Sequence, residues 1–266
     1  MQAILDVAYG PHGERNLLDL YLPEAFCAPA PLVVCVHGGG RKGGSRDQFR
    51  WAAEGLTQSG FAVALATYRF WPAARCPAAM DDVQRAIRVL RRHSTRFGID
   101  PARVAGMGQS AGAHLVSYAA LTDARDDSDA ELAAFSSRLQ CVVDCCGPVD
   151  FPAMMASASA PIVEGFMGMP FTGAQEEHRR ASPHHLVSAT PPPFLFVHGT
   201  EDTGEKPGQV PMAQSENFCA RLKAAGGEAT LVRLQGAGHG FVNDPAHRAA
   251  LWAAAGPFLR RHLRVG

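Results

Sequence analysis

Short apolar runs alternate with amphipathic stretches along most of the chain. Residues 31–36 are apolar at every position, which is typical of a strand buried on both faces of a parallel sheet. Residues 78–93 instead bring Val83, Ile87 and Leu90 onto one side of a helix. Because strands and helices alternate in this way, we expect an α/β fold, with a mostly parallel sheet and helices on both faces.

The same pattern predicts the individual elements. We predict a hairpin from strands at residues 3–9 and 15–22, and further strands at 31–36, 61–67, 104–107, 139–146, 193–198 and 229–234. We predict helices at residues 47–59, 78–93, 113–121 and 211–225, and a last helix that begins at 243–245 and is kinked or broken at Pro257. Neither an internal repeat nor a second domain is evident, so we expect residues 1–266 to form one domain.

Residues 151–190 interrupt the alternation of strands and helices. They are irregular and rich in methionine, alanine, proline and phenylalanine. A stretch of this length between two strands predicts a small lid or cap over a functional site. Its large apolar residues either line a confined pocket or pack in the core, namely Phe151, Met154, Met155, Phe166, Met167, Met169 and Phe171.

One serine lies at a predicted strand–turn–helix junction. Residues 108–112, Gly-Gln-Ser-Ala-Gly, fit the pattern G-x-S-x-G and follow the apolar residues 104–107. This is the context of a nucleophile elbow, in which glycines leave room for a strained serine backbone. The turn presents the hydroxyl at a helix N-terminus, whose dipole favours negative charge. Ser110 is therefore the candidate nucleophile, and Gln109 beside it is a candidate substrate contact.

A serine nucleophile needs a base that takes its proton and an acid that orients the base. Asp202 and His239 follow Ser110 in chain order, and each comes just after a predicted strand. Catalytic groups collect at the carboxyl ends of strands in open α/β sheets. His239 also lies between two glycines on the loop after the last strand. We therefore predict a triad of Ser110, His239 and Asp202.

Two other aspartates compete for the role of the acid. Asp144 lies inside an apolar strand, and Asp150 follows Gly147 and Pro148. For both, a buried carboxylate with hydrogen-bond partners is the alternative interpretation, and we favour Asp202.

The chain has eleven histidines, so we compare His239, the predicted base, with the other histidines. We expect His37 to bond backbone atoms of the glycine-rich loop after it. His114 and His198 are expected to be packed in the core. His184 and His185 lie in the predicted lid, where a surface position and a substrate contact are equally open.

A second glycine-rich motif, His37-Gly-Gly-Gly40, follows the predicted strand 31–36. It fits the HGGG pattern of an oxyanion loop. Because glycine has no side chain, its backbone N–H can approach a ligand closely. We assign the N–H groups of Gly39 and Gly40 to the oxyanion hole, which the Ala111 N–H completes.

Charge and cysteine content narrow the function classes. The 25 basic and 25 acidic residues balance, which gives no electrostatic reason to expect nucleic acid or an anionic membrane as a partner. We interpret the arginines of helix 78–93 as its solvated face. The seven cysteines form neither a CxxC pair nor a zinc spacing, so we expect reduced thiols and no metal or other cofactor.

The chain also contains no apolar run of transmembrane length, and its first residues do not fit a signal peptide. We therefore expect a cytoplasmic protein, with a removed leader as the alternative. The pattern predicts no particular oligomeric state.

Together these motifs resemble the bacterial carboxylesterases of the α/β-hydrolase superfamily, above all the branch of feruloyl and acetyl-xylan esterases near the hormone-sensitive-lipase-like esterases. The resemblance rests on HGGG, GQSAG, Ser182-Pro183, residues 191–202 and residues 236–241, and it extends from about residue 15 to the C-terminus. It implies an eight-stranded sheet with strand two antiparallel, a Ser–His–Asp triad, an acyl-enzyme intermediate and no cofactor.

Two features depart from that family's pattern. The residue after HGGG is commonly aromatic in this branch, but here it is Arg41. We expect its charge to lie near the mouth of the site and to contact substrate. The family also places Val-Pro two or three residues after the acid, whereas Thr203 to Gln209 precede Val210-Pro211 here. We expect this insertion to reshape the rim of the site.

The predicted activity is hydrolysis of small esters that carry a short or aromatic acyl group, with a sugar among the candidate alcohols. An amidase such as an arylformamidase, or a peptidase, is the alternative on the same fold. A ligand-binding relative without catalysis is disfavoured, because all three predicted triad residues are present.

Overall fold

The computed structural model describes residues 1–24, 29–123 and 129–265. The strands in these residues are β1 (Gln2–Ala8), β2 (Leu17–Leu22), β3 (Ala30–Val36), β4 (Ala62–Ala66), β5 (Ile99–Gln109), β6 (Cys141–Cys145), β7 (Phe194–Gly199) and β8 (Ala229–Leu234). The α-helices are α1 (Arg50–Gln58), α2 (Ala78–Arg92), α3 (Ser94–Phe97), α4 (Ala111–Leu121), α5 (Phe151–Met154), α6 (Ala160–Met167), α7 (Gln175–Arg180), α8 (Ala213–Ala224) and α9 (Pro245–His262). Cys27, one of the seven cysteines, lies outside the described residues.

These strands form one sheet in the order β1-β2-β4-β3-β5-β6-β7-β8. Strand β2 runs antiparallel to both of its neighbours, and every other neighbouring pair is parallel. The prediction of a mostly parallel, eight-stranded sheet with an antiparallel second strand is confirmed. The predicted hairpin is also confirmed, because Gln2 pairs with Leu22 and Ala8 with Leu17.

Helices cover both faces of the sheet. Alternate side chains of a strand point to opposite faces. On β3, Leu32 and Val34 pack with residues of α2, α4 and α8, whereas Val33 and Cys35 pack with residues of α1 and α9. Burial on both sides explains the unbroken apolar run of β3. The carboxyl ends of β3, β5, β7 and β8 lie at one edge, where the loops that carry the predicted site residues begin.

The segment 151–190 is more regular than its composition predicts. It contains α5, α6 and α7, and a 3₁₀ turn at Pro183–Leu186. Both α5 and α6 have a proline in their first turn, where its missing N–H breaks no helical hydrogen bond. The prolines that suggested irregular chain therefore begin helices. The expectation of an irregular segment is wrong.

Two of the four arginines of α2 do not lie on a solvated face. Arg88 and Arg91 are buried, because the chain between residues 131 and 140 covers this side of the helix. Arg88 Nε donates to the carbonyl oxygen of Phe135, and Arg91 Nη2 donates to that of Arg138. These two arginines bind backbone carbonyls of a covering loop, so the expectation of a solvated face is wrong for them, whereas Arg92 is exposed as expected.

Two element boundaries also differ from the predicted ones. Strand β5 begins at Ile99, which pairs with Ala30, although polar residues separate it from the apolar run. Helix α9 continues through Pro257 to His262, so it is not broken there. Leu251 and Leu259, on either side of the proline, are fully buried and anchor both halves of the helix to the sheet. Within the described ranges, none of the helices has the length and hydrophobicity that a bilayer-spanning helix requires.

Candidate active site

Ser110 lies in a sharp turn between β5 and α4. Its backbone has φ 55° and ψ −118°, a strained conformation for a residue with a side chain. A Cβ on Gly112 would lie 1.9 Å from the carbonyl oxygen of Val36, and a Cβ on Gly108 would lie 2.4 Å from the carbonyl carbon of Gly112. Only glycine fits at these two positions. The turn is further fixed by the Ser110 N–H, which donates to the carbonyl oxygen of Cys145 at 2.8 Å.

The three side chains predicted to form a triad are brought together. His239 Nε2 lies 2.8 Å from Ser110 Oγ, and His239 Nδ1 lies 2.6 Å from Asp202 Oδ2. Ser110 and Asp202 are buried, whereas the side chain of His239 is 18% exposed. The line from hydroxyl to imidazole to carboxylate therefore runs from the surface of a cavity into the protein.

The carboxylate of Asp202 is held by three donors. The Val210 N–H donates to Oδ1 at 2.8 Å. His198 Nε2 lies 3.1 Å from Oδ2, the oxygen that also binds His239. Burial raises the pKa of Asp202, but the hydrogen bonds from His198 and His239 outweigh burial and lower that pKa below its ordinary value. Asp202 is therefore a carboxylate at neutral pH.

The competing aspartates have other partners. Asp144 is fully buried and accepts from Ser117 Oγ at 2.7 Å and from the Gly147 N–H at 2.8 Å. Asp150 Oδ1 caps the N-terminus of α5 and lies 3.2 Å from His185 Nε2. Neither is hydrogen-bonded to His239, so the structure brings only the favoured Asp202 to the predicted base.

The glycine-rich loop after β3 presents backbone donors to the same cavity. Gly39 and Gly40 have φ values of +110° and +62°, which glycine adopts without strain. Among the described residues their N–H groups have no hydrogen-bond acceptor. Ala111 is the first residue of α4, so its N–H has no acceptor within the helix. All three residues line the cavity beside Ser110.

His37 supports this loop from the interior of the protein. It is fully buried, and its Nδ1 lies 2.7 Å from the carbonyl oxygen of Gly38. Its ring stacks on Tyr68 at 4.5 Å, and the Tyr68 hydroxyl donates to the His37 carbonyl oxygen at 3.0 Å. Burial lowers the pKa of His37 to about 4. The expected structural role of His37 is confirmed.

The remaining histidines also have partners other than Ser110. His114 is fully buried, with Nε2 2.7 Å from the carbonyl oxygen of Ala181, so its predicted core position is confirmed. His198 is likewise buried as predicted, but its contact with Asp202 was missed. The sequence feature that could have indicated this contact is the position of His198 at the carboxyl end of β7, four residues before Asp202. His185 is half-buried and bound to Asp150.

Gln109 borders the cavity, but its amide is bound inside the protein. Its Nε2 donates to the carbonyl oxygen of His239 at 3.1 Å. Its Oε1 accepts from Gln48 Nε2 at 3.4 Å, and Gln48 Oε1 accepts the Gly38 N–H at 2.7 Å. Gln109 thus links the loop of the histidine to the glycine-rich loop. This geometry does not favour the expected contact between the Gln109 side chain and substrate.

Arg41 lines the cavity beside Ser110, but its charge is buried and does not lie in solvent at the mouth. Its side chain is almost fully buried, and the guanidinium carbon lies 4.5 Å from the ring centre of Phe166 and 5.1 Å from that of Phe151. Its Nε and Nη2 have no hydrogen-bond partner among the described residues. Burial lowers the pKa of Arg41 to about 10. The rings of α5 and α6 therefore hold this cation in the interior and not in solvent at the mouth, and the expected contact with substrate stays a prediction.

A cavity of about 310 Å³ opens at Ser110 and His239. Helices α5 and α6 and the turn before α6 contribute part of its wall, through Met154, Ser159, Ile162 and Val163. The insertion after Asp202 also borders the cavity, through Gly208. These two parts are joined, because Ser159 Oγ donates to the carbonyl oxygen of Gln209 at 2.7 Å and lies 3.0 Å from the Gly208 nitrogen. The other large apolar residues of the segment that are fully buried, Phe151 and Phe166, belong to the core.

Within the described ranges, one group of three side chains has the spacing of metal ligands. Possible ligand atoms of Cys146, Asp202 and His239 lie within 4.8 Å of one another. Asp202 and His239 are already bound to each other through the nearest of these atoms. The Cys146 thiol is fully buried, and burial raises its pKa well above the ordinary value. The hydrogen bond between Asp202 and His239 therefore accounts for the short distance between these two side chains.

Comparison with known proteins adds sequence and structural relatives. The family model described as BD-FAE matches residues 18–222. The probable carboxylic ester hydrolase LipM of Mycobacterium tuberculosis is 32% identical over 227 residues, which are 82% of this chain and 51% of the relative. The chain therefore spans about half the length of this relative.

Two solved structures share the fold over nearly the whole chain. A truncated carbohydrate esterase from gut microbiota has a TM-score of 0.83 at 24% identity, over 99% of this chain and 97% of that chain. Esterase 2 of Thermogutta terrifontis, phosphorylated by paraoxon, has a TM-score of 0.80 at 25% identity, over 97% of this chain and 94% of that chain.

Proposed function

Since the chain belongs to the BD-FAE family and has the α/β-hydrolase fold, we propose that it is a serine carboxylesterase that hydrolyses small esters. The observation that carries this proposal is the continuous hydrogen-bonded line from Ser110 through His239 to Asp202, at 2.8 and 2.6 Å. The names of LipM, a probable carboxylic ester hydrolase, and of the Thermogutta esterase support the same reaction class.

In the proposed reaction Ser110 Oγ attacks the ester carbonyl carbon while His239 Nε2 takes its proton. The N–H groups of Gly39, Gly40 and Ala111 stabilise the negative charge on the carbonyl oxygen, because these residues line the cavity and their N–H groups have no acceptor within the part of the chain that the structure describes. His239 then gives the proton to the leaving alcohol, and the acyl-enzyme forms. A water molecule, deprotonated by His239, releases the acid and restores Ser110.

Asp202 acts by its position and its charge. It accepts the Nδ1–H of His239, which leaves Nε2 free to receive the proton of Ser110. It also stabilises the imidazolium that forms during each half of the reaction. The Val210 N–H and His198 fix the carboxylate for this task.

The cavity supports a preference for short acyl groups. Its volume of about 310 Å³ is near the lower end of the range for small-molecule sites. Met154, Ile162 and Val163 give it an apolar wall, and we assign residues 151–190 as a small lid within a single domain. Each methylene that fits adds only ~0.8 kcal/mol of transfer free energy, which modest crowding cancels. Acetate to butyrate esters are therefore preferred. Beyond about six carbons kcat/KM falls, because crowding outweighs the transfer free energy of each further methylene.

The proposed setting is the cytoplasm, with a small-molecule ester as the partner. The described cysteines are free thiols, and most are buried, which fits a reducing compartment.

Hydrolysis of p-nitrophenyl acetate, butyrate, octanoate and decanoate, beside p-nitroacetanilide, tests the proposal. The expected result is turnover of the short esters that is lost in Ser110→Ala, with an unchanged circular-dichroism spectrum. Fluorophosphonate labelling of Ser110 in the wild-type protein, read by mass spectrometry of the peptide, checks the nucleophile independently. Ester hydrolysis that persists in Ser110→Ala would contradict the triad, and faster turnover of the anilide would favour an amidase.

A further inference from the structure

Asp202 binds two histidines, and the proposed reaction uses only one of them. His198 Nε2 lies 3.1 Å from Asp202 Oδ2, and His239 Nδ1 lies 2.6 Å from the same oxygen. The side chains of His198 and Asp202 are completely buried, so water does not compete for their contact. A buried hydrogen bond to a carboxylate is stronger than an exposed one.

The partners of His198 identify its proton-bearing nitrogen. Nε2 lies 2.9 Å from the carbonyl oxygen of Val210, which can only accept. Nε2 therefore carries a hydrogen, shared between Val210 and Asp202. Nδ1 lies 2.8 Å from Ser215 Oγ, and a neutral ring accepts the hydroxyl proton there. Ser215 on α8 is also buried, so it fixes this tautomer of His198.

We propose that His198, held by Ser215, is a positioning residue that sets how strongly Asp202 binds the proton-bearing Nδ1 of His239. This inference rests on the proposed esterase activity. The His198 N–H draws negative charge from Oδ2, while the Val210 N–H holds Oδ1. A carboxylate with less free charge stabilises the imidazolium of His239 less. His198 therefore limits the charge that Asp202 offers to His239, and it keeps Oδ2 directed at His239.

Few other titratable groups face this pair. On β6 and just after it are Asp144, which interacts electrostatically with His198, and the buried thiol of Cys146 beside Asp202. On the loop after β8 is His239 itself. Substitution of His198 leaves Asp144 and Cys146 in place, so a change in the acid limb of the pH–rate profile reports on the lost N–H donor.

The pH dependence of kcat/KM with p-nitrophenyl acetate tests this inference. In His198→Leu the acid limb should move to higher pH by roughly 0.5–1 unit, because the unshared charge of Asp202 favours the protonated form of the base. His198→Gln, whose amide N–H can replace the donor, should restore part of the difference. Ser215→Ala should move the limb in the same direction by less, and it serves as the milder variant if His198→Leu does not fold. His178→Leu removes another buried histidine, which bonds the backbone of its own helix, and should leave the limb unchanged.

A second readout does not depend on turnover. The proton between His239 Nδ1 and Asp202 gives a low-field NMR resonance, which should move further downfield in His198→Leu because the remaining hydrogen bond strengthens. If the acid limb and the resonance of His198→Leu match those of His178→Leu, the inference is overturned while the proposed esterase activity stands. Absence of ester hydrolysis with the expected shift of the resonance would instead overturn the proposed activity and leave the coupling standing.

Discussion

The side-chain amide of Gln109 donates a hydrogen bond of 3.1 Å to the backbone carbonyl of His239. The residue before the candidate nucleophile thus holds the loop of the candidate base. The same amide contacts Gln48, which binds the Gly38 N–H. A single side chain therefore couples three loops that converge on the cavity.

Gln109→Ala should lower kcat and leave KM nearly unchanged. Loss of the bond lets the loop of His239 move relative to Ser110, and small misplacements of a catalytic group cost about 10- to 100-fold in rate. Steady-state kinetics with p-nitrophenyl acetate measures both constants. Gln58→Ala, at an exposed glutamine, is the matched control and should behave as wild type. A higher KM with unchanged kcat would show that Gln109 contacts substrate after all.

Asp202→Asn should lower kcat by about 10⁴-fold, the effect seen when the acid of a serine-protease triad becomes an amide. The amide cannot hold His239 in the tautomer that leaves Nε2 free. Asp150→Asn should have little effect on kcat, because Asp150 binds His185 and caps α5. Stopped assays at saturating ester compare the two variants. A large loss in Asp150→Asn with a small one in Asp202→Asn would reverse the assignment of the acid.

Acid should destabilise the fold through its buried histidines. Burial lowers the pKa of His37 to about 4 and that of His114 well below its ordinary value. Between a folded pKa near 4 and an unfolded pKa of about 6.5 the unfolded chain binds more protons. The free energy of unfolding therefore falls as pH drops through this window, by at most about 1.4 kcal/mol per pH unit for each histidine.

His114→Phe isolates one of these contributions. His114 stacks on Phe151 at 4.6 Å with nearly parallel rings, so phenylalanine keeps the packing. Urea unfolding at several pH values should give a smaller loss of stability on acidification in this variant than in wild type. Equal slopes for the two proteins would show that His114 does not titrate in this range.

Arg41→Met should leave the free energy of unfolding unchanged or raise it. The guanidinium is a buried charge without an acidic partner among the described residues, and apolar replacement of buried charge is often neutral or stabilising. Methionine can occupy the space between Phe151 and Phe166. Arg41→Ala is the contrast, because it leaves a void and should destabilise. Thermal unfolding compares both, and a large loss of stability in Arg41→Met would show that the cation is needed.

The residues predicted best from the sequence are those whose requirement is local. Gly108 has no room for a Cβ because Gly112 and Ala113 of its own turn lie too close, and the spacing of G-x-S-x-G reflects this requirement. The chain order of Ser110, Asp202 and His239 follows in the same way from strand ends, which apolar runs mark.

The errors concern side chains whose direction is set by distant parts of the chain. Arg41 lies next to the glycine-rich loop, but rings from α5 and α6 more than 100 positions later decide where its charge lies. Arg88 is buried because carbonyls beyond residue 130 cover it. A pattern of apolar and polar positions carries no information about such long-range partners, so it predicted the charge of Arg41 near the mouth of the site and that of Arg88 on a solvated face.

We expect Ile162 to set the acyl-length limit in the proposed pocket. Its Cγ2 lies 3.1 Å from where a Cβ on Gly40 would be, so it abuts the oxyanion loop at the wall of the cavity. Ile162→Ala should raise the kcat/KM for hexanoate relative to that for butyrate. Each additional methylene that the enlarged pocket accommodates contributes ~0.8 kcal/mol of transfer free energy, which is about fourfold or more in this ratio. Leu186→Ala, in the same segment but away from the cavity wall, should leave the ratio unchanged. A wild-type profile still rising at decanoate, or an equal change in both variants, would show that the acyl chain takes another route out of the site.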